Sequence, residues 1–292
     1  IIKGLAQMNA KCVRTYVLPI YGAENTGEVH LLKAPGEYSE EMFRVIDSLL
    51  AIANKHGVRL IIPFIDTWSY HGGVKEFAKM FGGEATEQSF YSNRKVIDGF
   101  KQFIADVLNR TNSITGIKYK DDKAIMAWET GNELNPTDSW TAEIAEFFKA
   151  ENPNQLLIDG KYGISEVSLK NPDIDIVSNH YYKEQKFARQ VLNDAHTARK
   201  LRPVIAGEFN NWFGFELNKQ VLGSMIDEGF SGALVWLAVG RSDDGGYLDE
   251  GNLHYPGQSS HEKELNDFIA GKAFEIDGLT VPSPRVPDSP QI

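Results

Sequence analysis

The chain is poor in the features that mark several large classes of protein. It contains a single cysteine, Cys12, which excludes both an intrachain disulfide and a cysteine metal cluster. Acidic residues outnumber basic ones, 40 to 30, and the formal net charge of −10 argues against a nucleic-acid partner, because phosphate binding needs a basic face. No apolar run approaches the roughly 20 residues of a membrane-spanning helix. Neither nucleic acid nor a membrane is therefore an expected partner.

What the chain does contain is enough apolar sequence for one large α/β domain. Its 292 residues are 42% hydrophobic, which suffices to bury a full core. Strand-like runs cover residues 13–18, 58–64, 124–129, 155–159, 175–180, 203–207 and 232–237. Most are separated by segments with helical spacing of apolar residues. Strands that alternate with helices predict a parallel sheet with helices outside it.

The clearest predicted helix covers residues 41–55, where Phe43, Ile46 and Leu50 share one stripe and Gly57 follows as a stop signal. Further helices are expected at 96–109, 142–150, 186–199, 219–228 and 262–269. Residues 1–10 have the pattern of the tail of a helix.

A closed (β/α)8 barrel needs eight strands, one more than the chain supplies, and an open barrel would expose two unpaired edges. We therefore expect the first strand to lie before Ile1, so that the chain looks truncated at its start. The alternative is that the segment 274–279 partly covers the gap. Residues 1–275 are predicted to form this one barrel, and the proline-rich end, 276–292, an extended tail or linker.

Two long connections are expected to form binding walls rather than core, because long loops after strands often carry function. The first, 66–95, is rich in glycine and aromatic residues. The second covers 238–260.

Two short strings, WETGNE at 128–133 and GEFN at 207–210, each follow a strand-like run. Each places a glutamate, Glu133 or Glu208, near the carboxyl end of a predicted parallel strand, and that end is the catalytic face of a barrel. Two carboxylates there match the needs of glycoside hydrolysis: one proton donor, and one nucleophile or base. The histidines do not have the spacing of metal ligands, and the glycine pairs do not have the spacing of phosphate-binding loops. No metal and no cofactor is therefore expected.

These residues give the chain a resemblance to glycoside hydrolase family 5. The resemblance rests on Asn132-Glu133, the run His180-Tyr181-Tyr182, Glu208 and the pair Val235-Trp236, in this order along successive strands. Segments 66–73, 90–93 and 112–122 are similar to the β-mannanase branch of that family. After Glu133 the chain departs from the family pattern: Leu134 stands where a proline is usual, and the arginine that commonly follows in mannanases is absent.

The resemblance implies a retaining hydrolase with Glu133 as acid/base and Glu208 as nucleophile. Trp128 and Trp236 are expected to cover Glu133 with apolar surface and so raise its pKa. Arg14 is expected to pair with Glu208 at the barrel mouth. The residues expected to bind substrate are Arg14, Trp68, His71, Asn132, His180, Tyr182, Trp212 and Trp236.

Each of these has an expected contact. Asn132 should hydrogen-bond the sugar 2-hydroxyl, Tyr182 should hydrogen-bond the nucleophile, and His180 should line the cleft. Tyr181 should point the other way. Trp236 would lie under the sugar at the cleavage point, because the apolar face of a sugar stacks on an aromatic ring. Further sugar platforms are expected among Trp68, Trp140 and Trp212, and hydroxyl contacts at His71 and His254; Asp66, Asp243 and Asp244 are taken as solvated loop carboxylates.

The predicted activity is cleavage of β-1,4-mannosidic linkages, with attack inside a polysaccharide chain favoured because aromatic residues are spread over several loops. An exo-acting β-mannosidase, a β-glucanase of the same family and a catalytically inactive sugar-binding barrel remain open alternatives. The expected partner is a polysaccharide or oligosaccharide, bound by a monomer. Polymer hydrolysis usually takes place outside the cell, so we expect a secreted protein, although no signal peptide is visible.

Overall fold

A computed structural model describes residues 1–22, 29–182, 186–210, 214–240, 253–254, 257 and 259–282. Within these residues there are nine strands and ten α-helices. The strands are β1 (Cys12–Arg14), β2 (Leu32–Ala34), β3 (Glu37–Tyr38), β4 (Arg59–Pro63), β5 (Ile125–Glu129), β6 (Leu156–Asp159), β7 (Ile176–Tyr181), β8 (Val204–Asn210) and β9 (Gly232–Trp236). The helices are α1 (Ile2–Gln7), α2 (Glu40–His56), α3 (Val74–Met80), α4 (Glu87–Ser92), α5 (Arg94–Asn109), α6 (Asp138–Glu151), α7 (Glu166–Lys170), α8 (Phe187–Ala198), α9 (Phe215–Asp227) and α10 (Ser260–Ile276).

Seven strands form one sheet in the order β1-β4-β5-β6-β7-β8-β9, and every neighbouring pair is parallel. A strand is therefore confirmed in each of the seven predicted runs. Strand β1 ends at Arg14, four residues before the predicted end at 18, and β8 continues to Asn210, beyond the predicted end at 207. Because the connections between parallel strands carry helices, the sheet curls into a nearly closed barrel with the helices outside. The predicted barrel class is confirmed.

The barrel interior is packed by one aliphatic side chain from each of five adjacent strands. These side chains belong to Ile61, Ala127, Ile158, Ile176 and Ile205. Alternate residues of a strand share a face, so Glu129 follows Ala127 and His180 follows Ile176 on the inner face, nearer the carboxyl end. In β8 the register shifts between Ala206 and Phe209, so Glu208 reaches the mouth three positions after Ile205. This periodicity delivers polar side chains to the barrel mouth above an apolar floor.

The barrel is incomplete between its two edge strands, β1 and β9. A cavity of about 530 Å³ lies there, lined by apolar residues that include Val13, Val235 and Ala273. At the mouth the gap narrows, because the ring of Tyr16, just after β1, lies 5.8 Å from that of Trp236 at the end of β9. The described sheet thus has seven strands and an open position where the eighth strand of a closed barrel is expected.

The helices begin and end close to the predicted bounds where capping signals are strong. Helix α2 begins after Ser39, whose side chain accepts a hydrogen bond from the backbone N–H of Met42, and ends at Gly57, which adopts a φ of 70°. The left-handed conformation at this position favours glycine, because glycine has no Cβ to clash with the backbone. The predicted helix at 41–55 is confirmed.

The connecting segments differ from expectation in two places. The segment 66–95 was expected to be a loop, but it contains the short helices α3 and α4, which pack the apolar side chains of Phe77 and Phe90 into the core. With seven and six residues, these helices are too short to show a clear helical pattern in the sequence. The antiparallel pair β2–β3 was not expected at all, because each strand has at most three residues.

Helix α10 is longer than predicted and takes up the first half of the segment 274–279, which was considered as a cover for the gap. It extends from Ser260 to Ile276, so Phe274 packs from a helix and not from an added strand. The tail prediction for residues 276–292 stays a prediction, since residues 283–292 lie outside the described part. Among the described helices, none is both long and apolar enough to span a membrane.

Candidate active site

Glu133 and Glu208 meet at the carboxyl end of the sheet. Glu208 lies on β8, and Glu133 lies in the turn that follows β5, with a φ of 51° that few non-glycine residues adopt. One carboxylate oxygen of each, together with one ring nitrogen of His180, form a group whose atoms all lie within 4.8 Å of one another. The fold therefore brings the two glutamates together across a gap narrower than one sugar ring.

Three side chains hold the carboxylate of Glu208. Arg14 Nη1 donates to Oε1 over 2.8 Å, the hydroxyl of Tyr16 donates to the same oxygen over 3.0 Å, and the hydroxyl of Tyr182 donates to Oε2. The Glu208 side chain is only 7% exposed. The expected neighbours Arg14 and Tyr182 thus contact Glu208, and Tyr16 joins them.

The carboxylate of Glu133 is bound at both oxygens. Nδ1 of His180 lies 2.8 Å from Oε1, and the indole N–H of Trp68 donates to Oε2 over 2.8 Å. Burial alone would raise the pKa of Glu133, but these hydrogen bonds to the ionised form outweigh burial and lower it. The expected apolar cover, with a raised pKa, was wrong for this state of the site.

Trp128 is not part of that cover, because it points away from the barrel interior. Its ring stacks on Phe64 with 4.8 Å between centroids, and its indole N–H donates to Gln155 over 2.7 Å. Successive residues of a strand point to opposite faces, which sends Trp128 outward. Only its neighbours Ala127 and Glu129 share the inner face.

Asn132 is fixed from both ends of its amide. Arg14 Nη2 donates to its oxygen over 2.9 Å, and its nitrogen donates to Oδ1 of Asp66 over 2.8 Å. Asp66 is 4% exposed, so the expectation of a solvated loop carboxylate was wrong. Burial raises the pKa of Asp66 to about 6, against the lowering effect of its hydrogen bonds from Asn132 and Trp68.

An aromatic group lies at the open side of the barrel mouth. The ring of His71 stacks on Tyr16 at 5.4 Å, and Tyr16 meets Trp236 edge-on at 5.8 Å. Burial lowers the pKa of His71, which favours the neutral ring. His71 and Trp236 therefore lie beside the tyrosine that binds Glu208, as expected of residues at the cleft.

Other predicted contacts are not brought to the site. Trp140 is 1% exposed and packs among Phe90, Tyr91 and Phe100, so it is a core residue and not a sugar platform. His254 is buried and lies beside Glu262 of α10. Trp212, Asp243 and Asp244 lie outside the described residues.

Tyr181 points away from the cleft as expected, with its hydroxyl donating to Asp194 over 2.7 Å. Three residues at the site were missed by the sequence reasoning. Glu129 ends β5 and is 2% exposed, Tyr16 follows β1, and Tyr162, 48% exposed, meets the ring of His180 at 6.5 Å. Two of them had a readable signal: Glu129 and Tyr16 each stand at an even spacing from an inward-facing residue, Ala127 and Arg14.

Glu133, His180 and Glu208 are the described residues whose ligand atoms lie close enough to hold a metal ion. The same position already receives positive charge from Arg14, whose Nη1 lies 2.8 Å from Glu208. A second cation there would meet electrostatic repulsion in a buried environment. The donor set fits a catalytic carboxylate pair better than a metal centre.

Comparison with known proteins shows the family of the chain. The model of a family described as GH family 5 beta-mannosidase-like matches residues 3–185. The chain belongs to glycoside hydrolase family 5. The match includes Glu133 and His180 and ends before Glu208.

Curated relatives within the family share about a third of the aligned residues. The chain is 35% identical over 183 residues to mannan endo-1,4-beta-mannosidase 5 of Solanum lycopersicum, covering 56% of the chain and 44% of the relative. It is 34% identical over 230 residues to mannan endo-1,4-beta-mannosidase 7 of Oryza sativa subsp. japonica, covering 61% of the chain and 60% of that relative. The aligned part of the chain thus spans about half the length of these curated relatives.

Solved structures of mannanases share the fold at low sequence identity. A hyperthermostable endo-1,4-beta-D-mannanase from Thermotoga petrophila RKU-1 superposes with a TM-score of 0.79 at 19% identity, covering 94% of this chain and 93% of that one. The endo-1,4-beta-mannanase of Rhizomucor miehei superposes with a TM-score of 0.75 at 21% identity, covering 94% and 89%. At such identities the likeness concerns the fold.

Proposed function

We propose that the protein is a retaining glycoside hydrolase that cleaves β-1,4-mannosidic linkages in mannan-type polysaccharides by a two-glutamate double displacement. The observation that carries this proposal is the approach of Glu133 and Glu208, with one oxygen of each within 4.8 Å of the other. Retaining enzymes keep their carboxyl groups about 5–5.5 Å apart, whereas inverting enzymes keep them about 6.5–9.5 Å apart to admit a water. The narrow gap supports the retaining mechanism.

In the first step, Glu208 attacks the anomeric carbon while Glu133 protonates the leaving glycosidic oxygen. The carbon–oxygen bond to the leaving sugar breaks as the covalent glycosyl-enzyme bond forms. Arg14, Tyr16 and Tyr182 all donate hydrogen bonds to Glu208, so they orient the carboxylate before attack.

In the second step, Glu133 takes a proton from water, and the water oxygen replaces Glu208 at the anomeric carbon. His180 lies between the two carboxyls, with Nδ1 2.8 Å from Glu133 and 3.4 Å from Glu208. A ring N–H at this position stabilises whichever carboxylate is ionised at that stage. His180 is thus proposed to stabilise the negative charge of the two carboxylates, and it also lines the cleft.

Asn132 is proposed to bind the 2-hydroxyl of the sugar at the cleavage point. Its amide nitrogen carries two hydrogens, and only one is needed for the bond to Asp66. The other is available to a sugar hydroxyl, in an orientation that Arg14 and Asp66 fix from either side. This contact strengthens as charge develops in the transition state.

Mannan is proposed as the substrate because curated relatives are named mannan endo-1,4-beta-mannosidases. Three half-exposed rings, Trp68, Tyr70 and Tyr162, offer stacking surfaces for several sugar units, which favours attack within a chain. The proposed binding partner is a polysaccharide or oligosaccharide, and a monomer remains our prediction for the protein. A polymeric substrate also supports a secreted location.

Product analysis on mannan, glucomannan and cellulose tests the proposal. We expect short manno-oligosaccharides released with retained β-configuration, observed by NMR before mutarotation. Release of single mannose units from chain ends would identify an exo-acting β-mannosidase, and preferential cleavage of cellulose would identify a β-glucanase.

A pair of variants separates catalysis from sugar binding. E208Q should lose at least about a thousandfold in rate while still binding manno-oligosaccharides, because the nucleophile is removed and the cleft is not. The control is E143Q, which should keep the full rate. Glu143 is a partly exposed residue of α6 that pairs with Arg94 of α5. A wild type that binds mannan but never hydrolyses it would identify an inactive sugar-binding barrel.

A further inference from the structure

We propose that Glu129 is a positioning residue of the active site, which acts on the nucleophile through Arg14. This inference rests on the function proposed above and adds to it a side chain that touches no substrate. Glu129 ends β5 and is 2% exposed, so it faces the guanidinium of Arg14 and not the cleft.

The guanidinium of Arg14 is bound by four side chains: Nη1 donates to the hydroxyl of Tyr16 over 2.7 Å, and three further bonds reach residues on or after other strands. Nε donates to Oε2 of Glu129 over 2.7 Å, Nη1 to Oε1 of Glu208 over 2.8 Å, and Nη2 to Oδ1 of Asn132 over 2.9 Å. Because the group is planar and rigid, fixing Nε sets the direction of both Nη atoms. Glu129 therefore determines where Arg14 aims at the other two residues.

The interaction is strong because it is buried. The side chains of Arg14 and Glu129 are 4% and 2% exposed, so water screens their attraction little. Burial by itself would lower the pKa of Arg14, but Glu129, Tyr16 and Glu208 together raise it well above its usual value. The cation is thus permanent and shared between two carboxylates.

Sharing the cation has a chemical consequence. Burial raises the pKa of Glu129, and the guanidinium of Arg14 opposes that rise. When Glu129 is ionised, Arg14 does not neutralise Glu208 alone, and a second negative charge lies in the same buried group. Removing that charge leaves the full positive charge opposed to one carboxylate, which stabilises its ionised form and makes it a poorer nucleophile. Glu129 should therefore set both the orientation and the reactivity of the nucleophile.

The placement follows from the alternation of β5. Ala127 belongs to the apolar floor of the barrel, and Glu129, two residues further, lies on the same face one layer higher. Arg14 stands in the same relation to Cys12, which packs against that floor. The two side chains meet in the barrel interior, although they are 115 positions apart in the chain.

The test is E129Q, which keeps the shape and an acceptor for Nε but removes the charge. We expect the acidic limb of the pH profile of kcat/KM to move at least about half a pH unit lower, and kcat to fall about tenfold with KM unchanged. D159N is the matched control, because Asp159 is a buried carboxylate at the end of the neighbouring strand β6. The acidic limb of the kcat/KM profile of D159N should stay at its wild-type position.

A second variant keeps the test decisive if E129Q folds poorly. E129D retains the charge but shortens the side chain by one methylene, so the carboxylate no longer reaches Nε. The acidic limb should stay at its wild-type position while kcat falls, which separates orientation from charge. Wild-type kcat in E129D, or an unmoved limb in folded E129Q, overturns the proposal.

The experiment also separates this proposal from the proposed function. A wild type that hydrolyses mannan while E129Q behaves like D159N rejects the role of Glu129 and leaves the hydrolase intact. If the wild type is inactive on every mannan tested, the proposed function fails. The role of Glu129 is then tested by ¹³C NMR titration of the glutamate carboxyls. One of these carboxyls must then titrate at lower pH in E129Q than in the wild type, and identical titrations overturn the coupling.

Discussion

The indole N–H of Trp68 donates to Oε2 of Glu133 over 2.8 Å, although the two residues are 65 positions apart. Because His180 occupies the other oxygen, the proposed acid/base has both of its oxygens bound in the free protein. A carboxyl that must donate a proton is thus held in its ionised form. Substrate binding has to displace Trp68 or His180 from this arrangement before Glu133 can act as an acid.

Replacing Trp68 with phenylalanine should move the basic limb of the kcat/KM profile to higher pH. Loss of the N–H removes one of the two hydrogen bonds that lower the pKa of Glu133, so the carboxyl stays protonated to a higher pH. We expect a shift of about half to one pH unit. Y70F, which changes an exposed ring on the same loop, is the control, and an equal shift there would contradict the assignment.

Asp66 should make the protein less stable as the pH rises from about 4 to about 7. Its pKa is raised from 3.8 to about 6 in the folded state, so between these values the native protein binds a proton that the unfolded chain has lost. The free energy of unfolding therefore falls across this window. D66N removes this dependence, and its stability relative to the wild type should increase by up to about 3 kcal/mol between pH 4 and pH 7.

Urea unfolding at the two pH values measures this difference. D98N, which removes an exposed carboxylate of α5, should differ from the wild type by a similar small amount at both values. A constant difference for D66N would show that Asp66 does not take up its proton on folding.

Trp140 and Trp68 should behave in opposite ways when each is replaced by alanine. W140A removes a ring that is 1% exposed and should cost about 3–5 kcal/mol of unfolding free energy. W68A removes a ring that is 50% exposed and should cost under about 1 kcal/mol, but it should raise KM for mannan. Urea titrations and initial rates distinguish the two, and a stable W140A with a raised KM would reverse the assignment.

Cys12 should react slowly with thiol reagents in the folded protein. Burial raises the pKa of its thiol to about 12, and the thiolate is the reactive form. At pH 8 we expect labelling about a thousandfold slower than for a free thiol, whose pKa is about 8.5. Labelling in urea gives the reference rate. Fast labelling of the native state would mean that β1 is open to solvent beside the cavity it lines.

Much of the fold followed from local patterns. The seven strand runs and helix α2 depend on residues close together in the chain, and their periodicity could be read directly. The short helices α3 and α4 were missed because they have only seven and six residues, and their stability comes from packing Phe77 and Phe90 into the core. Tertiary burial, and not local propensity, maintains them.

The sequence by itself determined the barrel and the two strand ends that carry Glu133 and Glu208, because strand alternation and the short strings around these glutamates are local. Only the tertiary structure decided that Trp68 faces the cleft while Trp140 is core, that Asp66 is buried, and that the pKa of Glu133 is lowered. Each of these depends on distances between side chains far apart in the chain. Burial and hydrogen bonding act through those distances, which sequence spacing does not encode.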